Sequence, residues 1–147
     1  MKLIKGRIVL DNGAELPFEL YPEECPITVD NFVKLVKSGF YNGKVFHRVV
    51  PFFVSQGGSV NGDGTGDLGY TIPNEAKKSR RMHRMGSLAM ARGEDPDSAC
   101  CQFYIAHVPA PHLDGNYTVF GQVTDNMGAV RHMQNGDVMT LVEIIEE

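Results

Sequence analysis

Arg48, Phe53 and Gln56 lie within Phe46–Gly58 (FHRVVPFFVSQGG), two apolar, β-prone runs joined at Pro51. Side chains alternate across a strand. With one bend at Pro51, these three residues share a surface. A permanent cation, an aromatic ring and a primary amide side by side suit gripping and polarising a neutral amide. They suit nucleophilic attack poorly, since none of them is a nucleophile. Two further stretches carry groups of the same kind. In Gln102-Phe103-Tyr104-Ile105-Ala106, alternation sets Gln102, Tyr104 and Ala106 against Phe103 and Ile105. In His112-Leu113-Asp114-Gly115, an Asp-Gly turn precedes Tyr117, Val119 and Phe120. Taken singly, each of these reads as core or turn.

Other chemistries lack their context. Gly64-Thr65-Gly66-Asp67-Leu68-Gly69 matches G-x-G-x-x-G, but Tyr70-Thr71-Ile72-Pro73 follows where a phosphate-binding helix would have to start. His47, His83, His107, His112 and His132 show no i, i+4 pairing with one another and no Cys partner at metal-site spacing. No metal and no cofactor is expected. Ser55, Ser59, Ser87 and Ser98 lack the G-x-S-x-G elbow. Cys100-Cys101 sits in no catalytic signature and reads as packing, although its thiols would be open to oxidation if they line a groove.

The 147 residues make one domain, large enough for a core without staples. No apolar run approaches the roughly 18 residues of a membrane span, and charges interrupt Met1–Arg7, so neither a span nor a signal peptide is expected. Three cysteines, two of them adjacent, fit a reducing cytoplasm. A formal charge of −4 argues against general affinity for nucleic acid. The exception is Lys77–Arg84, with 5 of the 14 basic residues and no acid; the other 9 basic and 18 acidic residues leave −9 elsewhere. That run reads as a solvated loop, with an anionic partner as the alternative.

The elements that must position these groups are short. Asn12-Gly13 between alternating apolar runs gives an opening hairpin from Ile4 to Leu20, both turn positions tolerating positive φ. Thr28 is the expected N-cap of a helix carrying Val29, Phe32, Val33 and Val36 and stopped by Gly39. Strands are expected at Val45–Val50, Phe53–Gln56, Ser87–Ala91, Gln102–Ala106, Val119–Thr124 and Met139–Glu146, with a second helix within Asn126–Gln134. Six glycines between Gly57 and Gly69 demand an irregular loop. The sum is a mainly β chain, an antiparallel sheet closed or nearly closed and capped by two helices.

In this order and spacing, FHRVVPFFVSQGG, GDGTG, GSLAMAR, QFYI and HLDGNYTVFGQV resemble the cyclophilin family of peptidyl-prolyl isomerases over essentially the whole chain. The resemblance implies an eight-stranded antiparallel β-barrel closed by two α-helices, with its groove on the outer surface. It implies that Arg48 is the catalytic arginine and that Phe53, Val54, Tyr104 and Leu113 line a proline pocket. Gln56 would bind substrate backbone and steady the arginine. Ala91 and Arg92 would contact the residue before proline, Gln102 would be a second polar groove residue, and His112 and Tyr117 would complete the rim. Proline-containing peptides and folding chains are the implied partners of a cytoplasmic monomer. The alternative is a proline-peptide binding module without turnover. Against the commoner eukaryotic pattern, Val54 replaces methionine, Tyr104 phenylalanine, Arg92 asparagine, His112 tryptophan and Tyr117 histidine. Phe52 stands where glycine is usual, and Cys100-Cys101 replaces Gly-Ser. Without an indole at position 112, weakened binding of cyclosporin A is the expected consequence.

Overall fold

A computed structural model describes residues 2–147. Its frame is one antiparallel sheet of eight strands: β1 (Ile4–Leu10), β2 (Glu15–Leu20), β3 (Arg48–Val50), β4 (Val54–Gly57), β5 (Ser87–Met90), β6 (Phe103–Ala106), β7 (Val119–Val123) and β8 (Met139–Glu146). The spatial order is β3-β4-β6-β5-β7-β2-β1-β8. The two outer strands approach each other through the residues preceding them. Val45 bridges Val138, and Phe46 N donates to Asp137 O at 2.8 Å. The expected strand Val45–Val50 is therefore divided. Its first residues join the ends of the sheet, and only Arg48–Val50 pair with β4. One run cannot follow both neighbours without a break.

The opening hairpin forms with the expected alternation, Ile4, Gly6, Ile8 and Leu10 all turned inward. Its turn differs in detail. Gly13 takes φ +87° while Asn12 does not enter positive φ; the Asn12 side chain instead accepts from Ala14 N at 2.9 Å.

The main helix, α1 (Pro26–Lys37), begins before Thr28, with Cys25 as its N-cap residue and no cap from Cys25's own side chain. Pro26 opens the first turn, where a missing N–H costs nothing. The cap comes from Glu75, 47 residues away. Its buried carboxylate accepts from Thr28 N at 2.7 Å and Thr28 Oγ1 at 2.8 Å. An anion at this end satisfies free amides and matches the helix dipole. At the other end Gly39 N reaches Val36 O and Phe40 N reaches Leu35 O, a Schellman stop.

Phe32 on α1 fills the sheet's interior, its ring centroid 5.0 to 6.0 Å from those of Phe18, Tyr41, Phe103 and Phe120. The second helix is shorter than expected, α3 (Met127–Arg131), and delivers Val130 to the same core. A four-residue α2 (Ala76–Ser79) was not expected. It lies in the basic run, which is more than a solvated loop. Ser79 and His83 are buried, and Arg81 pairs with Glu24 at 2.6 Å and stacks on Tyr21 at 3.6 Å. No described helix is long and apolar enough to cross a membrane.

Candidate active site

Separate from the interior core, a second apolar cluster collects on the outer face of the sheet: Val54, Ala89, Tyr104 and Val119, with Phe53, Ala91, Leu113 and Tyr117 against them. Strand alternation produces this split. Phe103 and Ile105 point into the core while Tyr104, between them, points out. Above the cluster lies a groove of about 270 Å³ lined by Arg48, Phe53, Val54, Gln56, Ala91, Arg92, Tyr104, Leu113 and Tyr117.

Register brings the polar members together. Arg48 lies directly opposite Gln56, and Gln56 opposite Tyr104. The bend that returns Phe53 to this face is a turn in which Phe53 N donates to Val50 O at 3.0 Å. Gln56 Nε2 donates to Gln102 Oε1 at 3.0 Å, and Gln102 Nε2 to Gly64 O at 3.0 Å. Gln102 thus braces Gln56 and is not among the residues lining the groove. Arg48 is exposed, and among the described residues its guanidinium makes no hydrogen bond or ion pair. No hydrogen bond joins it to Gln56, so the steadying contact implied by the resemblance is not formed in this conformation.

At the rim, the Arg92 guanidinium lies 4.4 Å from the Tyr117 ring centroid, and its Nε donates to Asn116 O at 3.1 Å. His112 stays outside the groove lining and stacks on Phe53, 5.6 Å between centroids and 24° between planes. Cys100 is half-buried, and its carbonyl accepts from Asn31 Nδ2 at 2.7 Å. Cys101 is buried, and that burial pushes its thiol up to about 12. Neither cysteine lines the groove.

Sequence reasoning missed the support beneath Tyr104. His83, 2% exposed, stacks on the Tyr104 ring with 9° between planes. Its Nδ1 lies 2.8 Å from Asp114 Oδ1 and its Nε2 2.7 Å from Tyr104 Oη. The same carboxylate oxygen accepts from His83 N at 2.6 Å. This arrangement fixes the tautomer: Nδ1–H donates to Asp114, and Nε2 accepts from the tyrosine hydroxyl. Burial lowers the His83 pKa despite the opposing pull of Asp114, and it raises the Tyr104 phenol far above its usual range. The chain is therefore neutral imidazole and neutral phenol at pH 7. Nothing in the sequence links these residues, since His83 sits inside a run of cations and Asp114 reads as a turn residue.

An apolar groove thus lies on the outer wall of the sheet, with the Arg48 guanidinium, unpaired among the described residues, at its side. The chain belongs to the cyclophilin type peptidyl-prolyl cis-trans isomerase family, whose model matches residues 7–146. It is 49% identical over 139 residues to peptidyl-prolyl cis-trans isomerase B of Bacillus subtilis, covering 95% of this chain and 96% of that protein. A peptidyl-prolyl cis-trans isomerase of Synechococcus elongatus is 44% identical over 131 residues, 88% of each chain. Among solved structures, a cyclophilin type isomerase of Cryptosporidium parvum, crystallised in the presence of the dipeptide Ala-Pro, superposes with a TM-score of 0.88 at 27% identity. It covers 97% of this chain and 99% of that one. The eight-stranded antiparallel architecture is that of these neighbours.

Proposed function

We propose that this isomerase turns X–Pro bonds by a non-covalent route in which Arg48 stabilises the twisted amide and the groove holds the proline ring. Resonance sets a barrier of about 18–20 kcal/mol and leaves uncatalysed exchange at tens to hundreds of seconds. At the twisted midpoint the prolyl nitrogen pyramidalises and regains a lone pair. A donor aimed there interacts with the transition state and hardly at all with the planar ground state, which is the condition for acceleration. The single observation carrying this reading is the Arg48 guanidinium, without an internal partner, beside the apolar groove.

Phe53, Val54, Tyr104 and Leu113 would clamp the pyrrolidine ring while the acyl side rotates. Gln56, held by Gln102, keeps its carbonyl oxygen without a donor among the described residues, so it can accept from substrate backbone or from Arg48 once a peptide is bound. Ala91 and Arg92 would meet the residue before proline, with Tyr117 and His112 at the edge. Proline-containing segments of folding chains are the proposed substrates.

The test is a protease-coupled assay on a peptide with a single X–Pro bond. Arg48→Ala should lose about 10²–10³-fold in kcat/KM, the scale of one well-placed oxyanion donor. Circular dichroism should stay unchanged, because Arg48 holds nothing in the fold. Full turnover in Arg48→Ala would sink the mechanism, and a wild type that binds the peptide without turning it over would mark a binding module instead.

A further inference from the structure

Phe52 is misplaced on two counts. Pro51 and Phe52 are the central residues of the turn closed by Phe53 N to Val50 O, and Phe52 has φ +61°. Proline followed by positive φ is the pattern of a type II turn, whose third position favours glycine. A bulky side chain there is strained. The ring is also 83% exposed, the most exposed large apolar side chain among the described residues.

What the ring does border is a cleft of about 410 Å³, lined with it by Pro51, Met85, Val108 and Pro109. His107 and Arg131 complete the lining, and Arg131 Nη2 lies 2.9 Å from the Met85 sulfur. This cleft shares a wall with the prolyl groove. Phe53, next in the chain, lines the groove, and its carbonyl accepts at 2.8 Å from the backbone N–H of His107, which lines the cleft. An extended peptide advances about 3.3 Å per residue. A substrate leaving the groove over the Phe53 edge therefore meets the cleft within a few residues of its proline.

We propose that Phe52 and this cleft form a specificity subsite that takes an apolar or aromatic side chain of the substrate polypeptide, a few residues from the proline. The occupant is apolar because most of the lining is carbon, and Arg131, the charged residue of the lining, is turned onto the Met85 sulfur. The inference rests on the neighbouring groove being the prolyl site.

The test uses a set of heptapeptides with one X–Pro bond, in which phenylalanine replaces serine at one flanking position at a time. The wild type should favour one phenylalanine position by about 3- to 30-fold in kcat/KM over the all-serine peptide, the range of a modest apolar contact. In Phe52→Gly and Val108→Asp, each variant's ratio of phenylalanine to serine peptide should fall towards one. Binding of the preferred peptide should shift the Met85 methyl resonance in the wild type. No preference at any position, or the same preference in both variants, would overturn the subsite. So would sedimentation showing the cleft closed by a second copy of the chain in a Phe52-dependent dimer. Failure of the prolyl reading is seen separately, as absent wild-type turnover on the all-serine peptide.

Discussion

The two most deeply buried histidines should make this protein lose stability between pH 7.5 and 5.5, well before its carboxylates titrate. His83 and His107 are 2% and 1% exposed. Burial lowers both below the ordinary 6.5, alone for His107 and against the pull of Asp114 for His83, where His112 adds to the lowering. His107 Nε2 is 2.6 Å from Ser55 Oγ, and its buried Nδ1 has no partner, so a second ring proton would find no acceptor. Folded pKa values below the unfolded value mean that the unfolded chain binds more protons as pH falls. The stability is thus complete above about 6.5 and drains away below it. One histidine kept neutral accounts for about 1.4 kcal/mol between pH 7.5 and 5.5, and the pair for about 2.7 kcal/mol at most. The nearby Asp114 carboxylate, which favours a charged His83 ring, makes His107 the fuller contributor. His47, half-buried and lowered chiefly by desolvation, with Asp63 opposing and Arg48 assisting, adds a smaller share of the same sign. Asp63 and Asp114 are depressed from 3.8, so their contributions fade only at lower pH. Urea unfolding at fixed ionic strength across this range measures the slope, and His107→Gln should roughly halve it whatever its effect on absolute stability. A flat profile in the wild type, or an unaltered slope in the variant, would refute the reasoning.

Glu75→Ala should cost about 1–3 kcal/mol by stripping the first turn of α1 of its distant cap, with Glu75→Gln recovering part as a neutral acceptor; equal Tm values for all three proteins would contradict this. Tyr104→Phe keeps the ring in the groove but leaves His83 Nε2 buried without a donor. Stability should drop by about 1–3 kcal/mol while kcat/KM changes only a few-fold, so a large activity loss without destabilisation would give the hydroxyl a direct role. Cyclosporin A should bind weakly and gain affinity in His112→Trp, since residue 112 already stacks on Phe53 at the groove's edge. Titration calorimetry showing no gain would remove position 112 from ligand choice.

The local sequence was sufficient for what depends on near neighbours. Alternation sorted Phe103 and Ile105 from Tyr104, Asn12-Gly13 marked the first hairpin, and Gly39 marked the end of α1. One bend near Pro51 was enough to place Arg48, Phe53 and Gln56 on a common surface, and they line one groove. What remained hidden depends on residues far apart in the chain. Glu75 caps the first turn of a helix from 47 residues further along the chain, Val45 and Phe46 leave their own strand to join the residues before β8, and Asp114 orients His83 from 31 residues away. Such partners meet only after the sheet has curled, because a buried carboxylate or imidazole takes whichever donor the fold delivers. Residue type and period decided which face each side chain would occupy; closure of the sheet decided what it would find there.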